Sequence, residues 1–153
     1  MQQNKIYYAE ASYDHKEINA VINVLKKQRL FLMAGPKTRQ LEKKVSALFD
    51  MKFSLMTNSG SSSNLLGVKS LNLEPGSEVI TPALTFSTTV SPIVHSNLVP
   101  VFVDINYDTL QIDTNKIIKA INKKTKAIMV PNLLEMLLIG KALMKLQEKT
   151  IFM

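Results

Sequence analysis

Two amphipathic helices are predicted in the first third of the chain from the spacing of its apolar residues. The first covers 14–28 and begins at a D-x-x-E capping pattern formed by Asp14 and Glu17. Gly35-Pro36 then interrupts the pattern, and a second helix is predicted over about 38–49. The apolar positions at largely helical spacing are Ile18, Val21, Ile22, Val24 and Leu25 in the first helix and Leu41, Val45 and Leu48 in the second.

From residue 53 onward, short apolar runs alternate with segments of helical length. The predicted strands are 53–57, 78–81, 100–105 and 126–130, and the predicted helices between them are 61–72, 86–97 and 114–122. Alternating strands and helices imply a parallel sheet with right-handed crossovers. The predicted fold class is therefore α/β, with a mainly parallel sheet flanked by helices. Residues 135–153 do not continue this alternation.

Composition narrows the class of protein. The chain has 153 residues and 46% hydrophobic content, which suits one globular domain with a core. Cysteine is absent, which excludes disulfides and thiolate metal sites. No apolar run approaches the roughly 20 residues that span a bilayer, and no apolar stretch follows the first five residues as in a secretory signal. We expect a cytoplasmic protein without a membrane partner.

The basic charge raises the question of a nucleic-acid partner. The net charge is +7 and the pI is about 9.6, but the basic residues fall in separate segments at 26–29, 43–44 and 123–124. No aromatic residues interleave with them to stack on bases. A lysine-rich surface is thus favoured over nucleic-acid binding. A basic binding module remains the alternative, and salt-dependent DNA binding would support it.

The stretch 57–66 (TNSGSSSNLL) is the first candidate site, because it follows a predicted strand and opens a helix. Backbone N–H groups at a helix start, together with serine hydroxyls, form an anion site that suits a ligand phosphate. The alternative is an ordinary serine N-cap without a ligand. The glycine-rich dinucleotide fingerprint and the Walker phosphate loop are both absent.

The stretch 81–89 (TPALTFSTT) is the second candidate, because it also follows a predicted strand at the carboxyl end of the sheet. Phe86 could stack on a flat ring there, although an aromatic residue at this position is more often part of a core. His95 is interpreted as structural, because no second base or metal ligand stands at a suitable spacing. Asp104 is interpreted as a turn or cap residue.

The order of several motifs resembles the DegT/DnrJ/EryC1/StrS family of pyridoxal-phosphate (PLP) dependent sugar aminotransferases and dehydratases. The similarity extends over about 7–134. The motifs are LMAGP at 32–36 followed by LE at 41–42, NSGSS at 58–62, EPGSEVITP at 74–82, TFSTT at 85–89, VPVFVDI at 99–105 and KTKAIMVPN at 124–132. Six motifs in the family's order and spacing are highly specific.

The resemblance implies the N-terminal part of a fold-type-I PLP enzyme. Such enzymes are homodimers that act on nucleotide-linked keto sugars with an amino donor, in cell-surface polysaccharide and deoxysugar biosynthesis. By position in the motifs, Gly60, Ser61 and Ser62 correspond to the phosphate cup, and Phe86 corresponds to the residue that stacks on the pyridine ring.

Two activities remain open within the family. Aminotransferases use a Schiff-base lysine, whereas in the related 3-dehydrase branch a histidine replaces it. Membership of the family as a whole favours aminotransferase activity for this chain. The stretches at 58–66, 82–92 and 129–134, however, are more similar to the dehydrase branch. The alternative from outside the enzymes is a non-catalytic fragment, which would act only as a basic binding module or in dimerisation.

The chain departs from the family pattern after residue 134. No residue matches the acid that pairs with the pyridine nitrogen, or the lysine or histidine. We expect 1–134 to be the N-terminal part of a PLP-binding large domain, 135–153 to be an aberrant tail, and the small C-terminal domain to be absent. The chain is therefore expected to be inactive alone.

A one-base deletion near codon 135 would explain the tail. One added G before plausible codons for 135–153 gives a frame that begins Gly-Asn-Val-Ala-Asp-Trp, which continues the family pattern. We predict that sequencing the coding region past this point reveals the family's remaining motifs in the shifted frame. An intact downstream frame without a deletion would contradict the hypothesis.

Overall fold

The structure is a computed structural model that describes residue 7, residues 9–30 and residues 32–133. The chain divides into two compact units, Met1–Met56 and Thr57–Met153. The predicted aberrant tail at 135–153 lies outside the described residues and stays a prediction. No helix in the described part of the chain is long and apolar enough to cross a membrane.

The first unit contains helices α1 (His15–Lys27) and α2 (Pro36–Leu48). The capping box predicted for α1 is confirmed, because Asp14 Oδ1 accepts from the N–H of Lys16 at 2.6 Å and Asp14 N–H donates to Glu17 Oε2 at 2.8 Å. The backbone hydrogen bond from Asp14 also lowers the pKa of Glu17. α2 starts at Pro36, two residues before the predicted start, because proline is well suited to the first helical position.

The predicted strand at 53–57 is wrong, because this segment forms no strand. Its polar groups bond to α2 instead: Ser54 Oγ donates to the carbonyl of Glu42 at 2.5 Å, and Met56 N–H donates to Glu42 Oε1 at 2.9 Å. A strand exists only where a neighbour completes its hydrogen-bond ladder. None of the three strands in the described part of the chain pairs with 53–57.

The second unit confirms the predicted α/β class. Its elements in chain order are α3 (Gly60–Ser70), β1 (Glu78–Pro82), α4 (Ser87–His95), β2 (Val99–Val103), α5 (Thr114–Ala120) and β3 (Thr125–Ile128). The strands form one parallel sheet in the order β2-β1-β3. Each of these helices and strands overlaps the corresponding prediction. The observed and predicted ends differ by no more than two residues.

β1 is the central strand and buries both of its faces. Val79 is 1% exposed and Ile80 is 0% exposed, and as neighbours in a strand they point to opposite sides of the sheet. Val79 belongs to a core with residues of α3 and α4, which are Val68 and Ile93, together with Leu98. Ile80 belongs to a second core with Val103, Ile112 and Ile117. α3 and α4 therefore cover one face, and α5 covers the other.

Truncating the central strand should destabilise the fold. We predict that Ile80→Ala lowers the free energy of unfolding by about 2–5 kcal/mol, because it leaves a cavity between β1, β2 and α5. Urea unfolding followed by circular dichroism measures the change. Ile118→Ala is the matched control, because Ile118 on α5 is 54% exposed, and it should cost about 0.5 kcal/mol or less. Equal losses in the two variants would contradict the assignment of the core.

Candidate functional site

The start of α3 is capped by a serine and keeps free donors. Ser59 is the N-cap: its Oγ accepts from the N–H of Ser62 at 3.2 Å, and its carbonyl accepts from the N–H of Ser63 at 3.1 Å. Within the described chain, the N–H groups of Gly60 and Ser61 have no acceptor. The serine N-cap and the anion site, which the sequence presented as alternatives, are thus compatible, since they use different N–H groups.

A cluster of hydroxyl groups holds the turn before α3. Thr57 Oγ1 lies 2.6 Å from Ser63 Oγ and donates to the carbonyl of Ser59 at 2.8 Å. Ser59 Oγ donates to Ser62 Oγ at 3.2 Å, so the proton of Ser62 is left to point elsewhere. Ser61 is exposed, and its hydroxyl bonds to no described residue. Ser61 and Ser62 therefore keep hydroxyl donors beside the free N–H groups.

Gly60 leaves open space at the first position of the helix. A Cβ added to it would meet no atom within 4 Å, and its φ does not require glycine. Neither the packing nor the backbone conformation of the described chain therefore explains a glycine here. Glycine at this position leaves the backbone at the start of α3 accessible.

The start of α4 presents Phe86. This residue is the N-cap, in an extended conformation with φ −71° and ψ 147°, and its carbonyl accepts from the N–H of Thr89 at 2.9 Å. Its side chain is 65% exposed. Phe86 thus does not belong to the core of the described chain, and its aromatic face is open to a planar ligand.

The structure brings the two predicted segments together. Asn64 Nδ2 donates to the carbonyl of Thr88 at 3.1 Å, which links the second turn of α3 to the first turn of α4. α4 follows β1, so its start lies at the carboxyl end of the central strand, where α/β proteins bind ligands. Asn64 was not singled out from the sequence, because no local pattern distinguishes an amide that bonds to another helix.

A shallow groove of about 220 Å³ lies between α3 and α4. It is lined by Ser61, Ser62, Leu65, Ser91, Pro92 and His95. No local pattern connects His95 with Ser61, because the two are 34 positions apart. No group of three or more histidine, cysteine or acidic side chains in the described part of the chain could hold a metal ion.

Asp104 has the turn role expected from the sequence. Its Oδ1 accepts from the N–H of Ile105 at 2.8 Å, and its Oδ2 lies 2.9 Å from Lys116 Nζ. The hydrogen bond from Lys116 lowers the pKa of Asp104. Both of its oxygens are therefore used in fixing the loop after β2 to α5.

Comparisons with known proteins agree with this fold. A model of the DegT/DnrJ/EryC1/StrS aminotransferase family matches residues 11–141. The GDP-4-keto-6-deoxy-D-mannose 3-dehydratase of Yersinia pseudotuberculosis is 40% identical over 132 residues, which are 82% of this chain and 33% of that protein. The 3-oxo-glucose-6-phosphate:glutamate aminotransferase of Bacillus subtilis is 41% identical over 96 residues, which are 63% of this chain and 22% of that protein.

A solved structure has the same fold. Spr1654 from Streptococcus pneumoniae, in its PLP form, superposes with a TM-score of 0.86 and 31% identity, over 94% of this chain and 36% of that one. The chain thus spans between about a fifth and just over a third of the length of these proteins.

Removing the serine cap should weaken α3. We predict that Ser59→Ala lowers the free energy of unfolding by about 1 kcal/mol, because the N–H of Ser62 loses its acceptor. Ser61→Ala is the control, because the exposed Ser61 hydroxyl has no bond to lose within the described chain, and its effect should stay within about 0.5 kcal/mol. Urea unfolding measures both. A larger loss for Ser61→Ala than for Ser59→Ala would show that the cap is wrongly assigned.

Proposed function

Because the chain belongs to the DegT/DnrJ/EryC1/StrS aminotransferase family, we propose that Gly60, Ser61, Ser62 and Phe86 form part of a binding site for pyridoxal 5'-phosphate. The observation that carries the proposal is the pair of unpaired N–H groups at Gly60 and Ser61, beside two hydroxyls that can still donate. A phosphate dianion needs several donors of this kind, and the positive end of the helix dipole adds to its binding.

The geometry around Phe86 fits the other end of the same ligand. An exposed aromatic ring at the start of α4 can lie against a planar pyridine ring, which favours offset stacking. The Asn64 to Thr88 hydrogen bond holds the two helices at a fixed separation. This contact between α3 and α4 supports the proposal that the phosphate donors and the aromatic face belong to one site.

The bound cofactor would supply an electron sink for a bond broken at the substrate carbon that carries the amino group. The residues of this chain would bind its phosphate, cover one face of its ring and exclude water from that face. We assign no described residue to the lysine or histidine of the reaction, or to the acid at the pyridine nitrogen. We therefore propose that the chain binds the cofactor without turning over substrate.

For the complete protein, we propose a PLP-dependent aminotransferase that acts on nucleotide-linked keto sugars. It would be a cytoplasmic homodimer and would use a small amino donor. Glutamate is the donor named for the aminotransferase of Bacillus subtilis. The second candidate is a nucleotide-sugar 3-dehydratase, which is favoured by the longer alignment: 82% of this chain aligns with the Yersinia dehydratase, against 63% with the Bacillus aminotransferase.

Binding of pyridoxamine phosphate tests the proposed site. This probe carries the same ring and phosphate but no aldehyde, so it cannot condense with surface lysines. We predict that the 153-residue chain binds it more tightly than pyridoxamine, by about tenfold or more, because hydrogen bonds to a charged group contribute about 1.5–3 kcal/mol each. Equilibrium titration by fluorescence measures both affinities. Equal affinities would contradict a phosphate cup.

Two variants locate the binding. Gly60→Asp should abolish the difference between the two probes, because a carboxylate would occupy the anion position while the added Cβ meets no atom. The same change should not destabilise α3, since an acidic residue is favourable in the first helical turn. Ser70→Ala, at the far end of α3, is the matched control and should leave both affinities unchanged. Loss of binding in the control would place the site elsewhere.

A further inference from the structure

A proline inside α4 changes which donors reach the backbone of this helix. Pro92 lies within the nine-residue helix Ser87–His95 and is buried. In a regular α-helix the N–H of residue 92 donates to the carbonyl of residue 88. Proline has no N–H, and its ring crowds that same carbonyl. The carbonyl of Thr88, in the first turn of α4, therefore lacks its ordinary helical donor.

The side chain of Asn64 supplies a donor to this carbonyl from the neighbouring helix. Its Nδ2 donates to the carbonyl of Thr88 at 3.1 Å, in a half-buried position. A carbonyl that is removed from water and loses its hydrogen bond costs about 1–3 kcal/mol. Pro92 thus removes the donor within α4, and Asn64 of α3 replaces it.

This hydrogen bond joins the two helix starts of the proposed cofactor site. Asn64 stands one helical turn after Gly60, and Thr88 follows Phe86 by two residues. Pro92 itself lines the groove of about 220 Å³ between α3 and α4, together with the two serines of the proposed site. The bond is therefore made within one turn of the phosphate donors and of the aromatic ring.

Apolar packing between the same helices does not fix their register. Val68 of α3 and Ile93 of α4 belong to one apolar cluster. Apolar packing is non-directional, and it tolerates small sliding movements. A hydrogen bond, in contrast, requires a defined distance and angle between donor and acceptor. The bond from Asn64 to Thr88 thus constrains how far the start of α3 lies from the start of α4.

We propose that Asn64 is a positioning residue and that Pro92 creates the acceptor to which it bonds. The pair sets the distance between the phosphate donors at the start of α3 and the ring of Phe86. The inference rests on the proposed function, because pyridoxal 5'-phosphate would have to touch both helices at once. A ligand that touches α3 alone does not need the bond.

Asn64→Leu tests the positioning role in the full 153-residue chain. Leucine is of similar size, favours helix and would face a cavity that is lined mainly by apolar side chains. We expect pyridoxamine phosphate to bind about tenfold more weakly, because the preorganised distance is lost, and inorganic phosphate to stay within about twofold. Fluorescence titration measures the first affinity, and NMR shifts of the Gly60 and Ser61 amides measure the second.

Ser70→Ala is the matched control. It also removes a side-chain bond to a backbone carbonyl, from Ser70 Oγ to Gly67 at 2.7 Å, but within α3 alone. It should change neither affinity. Equal losses for both probes in Asn64→Leu would show a general loosening of α3 and overturn the positioning role. If Asn64→Leu does not fold, Asn64→Ala repeats the comparison, with the same outcomes.

Pro92→Ala tests the origin of the acceptor, because alanine returns an N–H to position 92 and a donor to the carbonyl of Thr88. Thermal unfolding of the parent, the two single variants and the double variant forms a double-mutant cycle. We expect Asn64→Leu to lower the unfolding temperature more in the parent than in Pro92→Ala, since only the parent loses its replacement donor. Equal decreases overturn the role of Pro92.

The two proposals fail in different ways. If the parent chain does not bind pyridoxamine phosphate, or if inorganic phosphate shifts neither the Gly60 nor the Ser61 amide, the phosphate cup is contradicted and the positioning role fails with it. If the parent binds both probes and Asn64→Leu binds them equally well, the positioning role alone fails.

Discussion

Burial of both faces of β1 is the constraint on which the second unit depends. Neighbouring residues in a strand point to opposite sides, so Val79 and Ile80 each need a covering layer. α3 and α4 cover the Val79 side, and α5 covers the Ile80 side. Because α4 follows β1 directly, its first turn lies at the carboxyl end of the central strand, and packing on the shared core brings α3 beside it. The core thus decides which helices lie side by side.

The two helix starts differ in how they use their backbone donors. At α3, the Ser59 hydroxyl satisfies one N–H group, and the N–H groups of Gly60 and Ser61 have no acceptor in the described chain. At α4, the N-cap is Phe86, whose side chain makes no capping hydrogen bond and offers an aromatic face instead. The proposed cofactor site needs both starts, because neither by itself would distinguish pyridoxal phosphate from a free anion or an apolar ring.

Periodicity predicted α3, α4, α5 and three of the strands, which bury apolar residues within the described chain. It also predicted α1 and α2, although neither helix buries a residue there. It failed at 53–57, where the alternation is strand-like but the ladder has no partner, and where Glu42 bonds to the segment instead. It also could not decide whether Phe86 packs in a core or stays exposed, since both environments suit an aromatic residue after a strand. His95 was missed as a neighbour of the serine turn, and the bond from Asn64 to α4 was not foreseen, because both contacts cross between helices.

The sequence by itself determined the α/β class, the capping of α1, the serine-rich helix start at Gly60 and the resemblance to a family of PLP enzymes. These features depend on local patterns, such as the capping box and the alternation of apolar runs, or on motif order. Only the tertiary structure decided that α3 and α4 lie side by side, that the Phe86 ring is exposed, and that Asn64 reaches the carbonyl of Thr88. Such contacts join residues more than 20 positions apart. They arise from packing on the sheet, and no short-range pattern in the chain encodes them.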